Sequence, residues 1–209
     1  MEATGERSGR MDLRLPYTGF DIETYSPNGF PAEGQDPVIT ATLTTSFSQD
    51  LRSGLLLVSL IFPPSQEDLL LIWLHRFLAS FRDGCLVTYN GAKFDLGYVA
   101  HRGRMHGVAF DQVFLNYDHL DLYDMVRRLR IRPPSYGQKA VEKWLGIDRM
   151  VNAVSGASYH RAFLGFLKTG SLEPLFYNIE DSVGCLRILD RLYAADAKFC
   201  AGNLLNGAK

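Results

Sequence analysis

The stretch Phe20-Asp21-Ile22-Glu23-Thr24 alternates apolar and acidic side chains at the end of a predicted strand. Successive side chains of an extended chain point to opposite faces, so Phe20 and Ile22 are predicted to enter the core. Asp21 and Glu23 then project together from the other face. Two carboxylates at this spacing suit a hard cation, which prefers oxygen ligands. The motif alone is a weak signal, because many surface strands carry an acidic pair by chance.

A second acidic motif, NGAKFD, occupies residues 90–95. A short apolar strand is predicted before it, from Cys85 to Tyr89, and a helix after it, from about Phe94 to Met105. Asp95 then lies in the first turn of that helix. A carboxylate there interacts favourably with the helix dipole even without a metal, and Asn90 is also an ordinary turn residue. Both residues therefore have a structural interpretation besides a role in a site.

The third motif is Tyr177-x-x-x-Asp181, on a helix predicted from Pro174 to about Phe199. Residues four apart lie on one face of a helix, so the phenol and the carboxylate point the same way. A structural interpretation is a hydrogen bond from Tyr177 or a salt bridge from an arginine to Asp181. The functional interpretation assigns a metal to Asp181 and a water molecule to Tyr177.

The three motifs together carry four carboxylates on elements that can converge. Four acids in one place repel one another, and their desolvation adds to the cost. A divalent cation between them removes most of that cost. The combination therefore predicts a metal-dependent enzyme that acts on phosphates, and a nuclease above all.

The chain has 209 residues, of which 46% are hydrophobic and 22% charged, as is typical of a soluble globular protein. We expect a flexible N-terminal tail over residues 1–12, a single domain over residues 13–200 and a C-terminal tail over residues 201–209. No apolar stretch approaches the length of a membrane span. Its cysteines are scattered and odd in number, which disfavours a disulfide framework and a zinc site and favours a reducing, cytoplasmic location.

The net charge of −1 indicates no global basic field. However, the segment from Arg127 to Lys143 holds six basic residues against Glu142 alone. A basic segment of this kind is suited to hold a phosphate backbone. The alternative is that its first arginines end a helix and complement the helix dipole.

The remaining pattern predicts alternating strands and helices. Strands are predicted at Leu13–Ile22, Thr40–Phe47, Leu55–Ile61 and Cys85–Tyr89, with a fifth at Val113–Leu115 or at His119–Leu122. The strand Leu55–Ile61 is apolar enough to be buried on both faces. Capping boxes are predicted at Ser65–Asp68 and Ser135–Gln138, and a further helix at Tyr159–Lys168. This order predicts one α/β domain on a mixed sheet.

In combination and order, the motifs resemble those of the DnaQ-like, or DEDD, 3′–5′ exonuclease superfamily. Residues 21–24, 90–95 and 177–181 match its first, second and third motifs. Its histidine-bearing branch places a histidine where this chain has Phe176, so the tyrosine branch (DEDDy) is indicated, as in the proofreading domains of family B polymerases. Residues 136–149 also resemble the YprB-like ribonuclease-H-like subgroup.

The resemblance implies an α/β fold with a ribonuclease-H-like mixed five-stranded sheet flanked by helices. It also implies two divalent metal ions, Mg²⁺ or Mn²⁺, bound by Asp21, Glu23, Asp95 and Asp181. Tyr177 completes the catalytic set. An unperturbed phenol, with a pKa of about 10, is a poor base, so orienting the attacking water is its expected role. The expected reaction releases 5′-mononucleotides from single-stranded DNA by a two-metal-ion mechanism.

Five residues beside the motifs are expected to contact substrate: Thr24, Tyr25, Asn90, Lys93 and Phe94. Aromatic side chains stack on any base, and Asn90 and Lys93 are candidate phosphate contacts. Core packing is the alternative for Phe94. Asp121 and Asp124 are placed outside the site, because a helix N-cap explains Asp121.

Two alternative functions remain. A 3′–5′ exoribonuclease is the first, because no recognisable feature reads a 2′-hydroxyl. A nucleic-acid-binding module without catalysis is the second, although the intact set of catalytic residues argues against it. Since a domain of this size has little surface to grip a strand, self-association into a homo-oligomer is also expected.

Overall fold

Five strands form the central sheet of the protein. The structure is a computed structural model that describes residues 13–51, 54–129 and 131–206. The strands are β1 (Tyr17–Thr24), β2 (Val38–Ser46), β3 (Leu55–Ile61), β4 (Cys85–Thr88) and β5 (Asp118–Asp121). Their order across the sheet is β3-β2-β1-β4-β5. The pairs β1–β2 and β2–β3 are antiparallel, whereas β1–β4 and β4–β5 are parallel. The predicted mixed five-stranded sheet is confirmed.

Helices cover both faces of this sheet. They are α1 (Glu67–Ser80), α2 (Asp95–Met105), α3 (Phe110–Phe114), α4 (Leu122–Arg128), α5 (Gln138–Trp144), α6 (Tyr159–Thr169) and α7 (Glu173–Asn206). Helices α1 to α3 share a buried apolar cluster with Phe20 and Ile22, and α4, α5 and α7 share another with Cys85 and Val87. Within the described ranges, no helix combines the length and apolarity needed to cross a membrane.

Strand β1 has the predicted alternation. Phe20 and Ile22 are 1% and 3% exposed and lie in the core beneath α1 and α2. Asp21 and Glu23 are half-buried on the opposite face. The acidic pair therefore occupies the face that α7 covers.

The prediction that β3 is buried on both faces is wrong. Leu55, Leu56 and Leu57 are 42–43% exposed, because β3 is an edge strand. Strand β2 is buried over its whole length although it contains four threonines. Its hydroxyls have partners across the sheet face: Thr40 accepts from the Tyr159 hydroxyl at 2.7 Å. Position within the sheet, rather than apolarity, decides which strand is enclosed.

The structure tests the predictions for the fifth strand, the two capping boxes and the last helix. The fifth strand is β5, close to the second alternative, whereas residues 110–114 form α3. Both predicted capping boxes are wrong, since the N-cap residues of α1 and α5 are Gln66 and Gly137 and neither makes a side-chain cap. Helix α7 extends to Asn206, past its predicted end near Phe199. Residues 1–12 and 207–209 of the expected tails lie outside the described residues.

A glycine sets the distance between β1 and α7. A Cβ atom at Gly19 would overlap the backbone carbonyl oxygen of Ser182. The Ser182 hydroxyl donates a hydrogen bond to the Gly19 carbonyl at 2.9 Å. This close approach places Asp21, two residues after the glycine, beside Asp181.

Replacing Gly19 with alanine is expected to lower the free energy of unfolding by about 1–3 kcal/mol, the usual cost of an overpacked core. The added methyl group pushes α7 away from β1. Urea unfolding followed by circular dichroism measures the change. Gly97→Ala on α2 is the matched control, since a Cβ there meets no atom within 4 Å. A Gly19→Ala protein as stable as this control would contradict the close packing.

Candidate active site

Three acidic side chains meet where β1 passes α7. Carboxylate oxygens of Asp21, Glu23 and Asp181 all lie within 4.8 Å of one another. The first two come from the end of β1 and the third from the third turn of α7. All three line a groove of about 1040 Å³. Elements at the two ends of the sequence therefore supply one compact acidic cluster.

The fourth predicted carboxylate, Asp95, lines the same groove but lies outside that set of three. It is 5% exposed and occupies the first turn of α2, as predicted. Its Oδ1 accepts a hydrogen bond from the backbone N–H of Ile22 at 3.1 Å. Asp95 is thus fixed to the backbone of β1, between the two acids of the first motif.

A buried amide orients Asp21. Asn178 is fully buried on α7, and its Nδ2 donates to Asp21 Oδ2 at 2.7 Å. Its Oδ1 accepts a hydrogen bond from the Thr42 hydroxyl. No role was predicted for Asn178 from the sequence. Its spacing of three from Asp181, which places both on one helix face, is the signal that identifies it.

Tyr177 stays protonated in this environment. It is 6% exposed, and burial, followed by the neighbouring charge of Asp181, raises the pKa of its phenol. Lys139 Nζ lies 4.6 Å from the centre of its ring, and Arg149 Cζ lies 5.5 Å from it. A phenol with a raised pKa is a hydrogen-bond donor at neutral pH and not a base.

An internal cation, Arg149, binds the acid on α7. Its side chain is 5% exposed, and Nη1 donates to Asp181 Oδ1 at 2.7 Å and to Glu142 Oε2 at 2.8 Å. Nε lies 3.7 Å from Glu180 Oε2. Gln138, predicted only as a capping residue, donates to the carbonyl of Asp181 at 2.8 Å. Helix α5 and the loop after it therefore hold Asp181 in place, through Gln138 and Arg149.

The acidic cluster has more negative charge than its cations balance. Burial raises the pKa values of Asp21 and Glu23 well above the ordinary range, and repulsion from Asp181 and Asp95 adds to this. Burial also raises the pKa of Asp95 to about 7. The pKa of Asp181 is raised by burial as well, although Arg149 opposes the shift. Clustered oxygen donors with excess negative charge fit a hard divalent cation.

Comparison with known proteins shows the family of the chain. The sequence model of the RNase H superfamily matches residues 20–193, which include all three motifs. The chain belongs to the RNase H superfamily.

Among solved structures, this RNase H superfamily chain is similar to the family B DNA polymerase from the hyperthermophilic archaeon Pyrobaculum calidifontis. The TM-score is 0.69 and the sequence identity 20%, over 85% of this chain and 24% of the polymerase chain. At this identity the likeness shows a shared fold. The chain spans about a quarter of the polymerase. Comparison with curated proteins gives no match.

Three of the five predicted substrate contacts line the groove of this RNase H superfamily member: Thr24, Asn90 and Phe94. The other two do not. Tyr25 packs its ring edge-on against His160 and Phe163. Lys93 is exposed, with Nζ 5.2 Å from the centre of the Tyr123 ring.

The Asn90 loop is held by Asp121. Asn90 has a φ of 62°, in the left-handed region that asparagine tolerates better than most residues. The Asp121 carboxylate accepts from the N–H of Asn90 at 2.8 Å and of Ala92 at 3.0 Å. It also accepts from the N–H of Tyr123 as the N-cap of α4, so its predicted capping role is confirmed. One carboxylate thus caps a helix and supports the second motif.

Without metal, the protein is expected to lose stability as pH rises from about 5 to 8. The folded-state pKa of Asp95 is about 7, above the unfolded value of about 3.9. Between these values the folded state binds more protons than the unfolded state, so the free energy of unfolding falls with increasing pH. Asp21 and Glu23 act in the same direction. Urea unfolding in EDTA at several pH values measures the trend.

Manganese is the control for this pH trend. Metal binding requires ionised carboxylates and stabilises the folded state more strongly as pH rises. The gain in stability on adding Mn²⁺ is therefore expected to be larger at pH 8 than at pH 5. A metal-free protein that becomes more stable between these pH values would contradict the electrostatic description of the cluster.

Proposed function

We propose that this chain is a metal-dependent 3′–5′ exonuclease of the tyrosine type that releases 5′-mononucleotides from single-stranded DNA. One observation carries the proposal: carboxylate oxygens of Asp21, Glu23 and Asp181 lie within 4.8 Å of one another in a groove that Tyr177 also lines. Membership of the RNase H superfamily supports nuclease activity in general. Similarity to a DNA polymerase favours DNA as the starting hypothesis.

Asp21, Glu23, Asp95 and Asp181 would hold two divalent ions, Mg²⁺ or Mn²⁺. When bound, the ions would lower the pKa of the attacking water and stabilise the departing 3′ oxygen. The amide of Asn178 fixes the carboxylate of Asp21, so this ligand would already be oriented when the ions bind.

The chain's own residues position the reactants. Tyr177 donates a hydrogen bond, so its task is to orient the attacking water rather than to deprotonate it. Arg149 and Gln138 hold Asp181, the former through its carboxylate and the latter through its backbone carbonyl. The side chains that surround the reacting phosphate are therefore held in place before substrate binds, which lowers the entropic cost of the reaction.

A free single-stranded end is the substrate that the recessed position of the acids favours. Asp95 and Asp181 are 5% and 6% exposed, at the bottom of the groove. A flexible strand can bend so that its terminal phosphodiester reaches them. A duplex is a stiff rod with a persistence length of about 50 nm, and its internal phosphates follow that rod.

Labelled oligonucleotides test the proposal directly. DNA and RNA with a 5′ label, single- and double-stranded, are incubated with Mg²⁺, Mn²⁺ or EDTA. We expect a ladder that shortens from the 3′ end, only with metal, fastest on single-stranded DNA, and 5′-mononucleotides on chromatography. Closed circular single-stranded DNA is the control, since an exonuclease leaves it intact.

Three results would overturn the proposal: cleavage in EDTA, cutting of the circle, or shortening from the 5′ end. Faster trimming of RNA would select the exoribonuclease alternative. Binding of oligonucleotides without cleavage under any metal condition would select the non-catalytic alternative.

A further inference from the structure

Two pairs of aromatic side chains line the groove of the acidic cluster. Phe30 contacts Phe94, and Tyr123 contacts Tyr136. Two cations, Lys93 and Arg127, lie over the tyrosine pair. Of these six residues, Phe30, Tyr123 and Tyr136 were not predicted from the sequence to contact substrate.

Phe30 is an aromatic side chain held out in solvent. It is 87% exposed, and its ring makes an edge contact with Phe94 at 5.9 Å between centroids. An exposed phenylalanine leaves a large apolar area in water, and a base stacked on the ring would remove that area from water.

The loop that carries Phe30 is anchored to α2. The Tyr98 hydroxyl donates to the carbonyls of Asp36 at 2.7 Å and of Ala32 at 3.2 Å. Arg102 Nη1 donates to the carbonyl of Glu33 at 3.1 Å. The exposed ring is therefore presented at the groove by a supported loop.

The tyrosine pair of the groove carries positive charge on its rings. Arg127 Cζ lies 5.5 Å from the ring centres of both Tyr123 and Tyr136, and its Nη1 donates to the Tyr123 hydroxyl at 2.9 Å. Lys93 Nζ lies 5.2 Å from the Tyr123 ring. Among the described residues, neither cation forms an ion pair with a carboxylate. Within the described part of the chain, the tyrosines thus hold two positive charges that no carboxylate contacts directly, although the charge of Asp124 acts on Arg127 from a longer distance.

We propose that the groove binds a single strand with its bases against Phe30 and Phe94. Its phosphates lie against Lys93 and Arg127, the cations next to the groove that lie over the lining tyrosines. Aromatic faces take bases without regard to sequence, and unpaired cations take the backbone. This inference rests on the proposed function, because it takes the acidic cluster as the place where the strand is cut. It defines the substrate as a strand with unpaired bases, because paired bases cannot stack on Phe30.

Arg128 separates this proposal from a simple helix-dipole effect. Both Arg127 and Arg128 lie in the last turn of α4, so both complement its dipole equally. Arg128 lines a different cavity, of about 370 Å³, together with Met125 and Leu192. Arg128→Ala therefore removes the same charge from the same helix turn, away from the groove.

Fluorescence anisotropy of labelled oligothymidylate, in EDTA to prevent metal-dependent cleavage, measures binding at several salt concentrations. For Arg127→Ala, we expect weaker binding and a salt slope reduced by about 0.7, the contribution of one phosphate contact on a single strand. Arg128→Ala is expected to leave both unchanged. Phe30→Ala is expected to weaken binding about fivefold to a hundredfold, the range for loss of one stacked base, with the salt slope unchanged.

Equal effects of Arg127→Ala and Arg128→Ala would overturn the phosphate side, and unchanged binding by Phe30→Ala would overturn the base side. Because all three side chains are exposed, the thermal unfolding of each variant is expected to match that of the wild type, which confirms that the variant is folded.

Trimming in Mn²⁺ is measured in parallel. Wild-type protein that binds as expected but never trims would overturn the proposed function and leave this surface standing. Trimming by a wild type whose binding none of these substitutions changes would overturn only this inference.

Discussion

Replacing Asp21 with asparagine is expected to reduce the rate of 3′-end trimming by about a thousandfold or more. The substitution keeps the shape of the side chain but removes a charge that stabilises bound metal by several kcal/mol, and about 1.4 kcal/mol corresponds to a factor of ten. Asp21 is also the acid that Asn178 orients. Single-turnover cleavage of 5′-labelled single-stranded DNA measures the rate.

Asp181→Asn is expected to reduce the trimming rate by a similar factor, because the carboxylate of Asp181 belongs to the same cluster and comes from α7. Isothermal titration with Mn²⁺ gives a second readout, in which both variants lose affinity. Asp111→Asn is the matched control, because Asp111 is exposed and pairs with Arg104 on the surface. Trimming at the wild-type rate by either cluster variant would exclude this cluster as the catalytic centre.

Replacing Arg149 with methionine is expected to lower the free energy of unfolding of the metal-free protein by about 3–5 kcal/mol, the usual cost of removing one partner from a buried ion pair. Methionine keeps an apolar side chain of similar length, so packing is largely preserved. The substitution removes the guanidinium that donates hydrogen bonds to both Glu142 and Asp181. The side chain of Glu142 is 1% exposed, so water does not replace the lost donor. Urea unfolding in EDTA at pH 8, where the loss is greatest because carboxylates are ionised, measures the change.

Two controls separate the ion pair from other effects of this substitution. Arg14→Met removes an arginine from the exposed pair with Asp118 and is expected to leave stability unchanged. Glu142→Gln in the Arg149→Met background is expected to recover part of the loss, because it removes one uncompensated charge. An Arg149→Met protein as stable as the wild type at pH 8 would contradict the role of Arg149 as the internal counter-charge.

Local patterns in the sequence were enough for much of the fold. The alternation in residues 20–23 predicted which side chains enter the core, and β3 begins and ends at its predicted residues. The burial of β3 was not predictable, because an apolar strand at the edge and one at the centre look alike in sequence. Strand order is a property of long-range pairing. The threonine-rich β2 is enclosed because it lies inside the sheet, between β3 and β1.

The sequence by itself determined which residue types face one another within each element: the acidic pair on β1, and the phenol and carboxylate four apart on α7. Periods of two and 3.6 residues dictate this without any tertiary contact. Only the tertiary structure decided that Asn178 orients Asp21 and that Arg149 balances Asp181. It also decided that Phe30 lines the same groove as the two tyrosines over which Arg127 lies. These relations join segments separated by long stretches of chain, and their geometry depends on how closely α7 approaches β1 at Gly19.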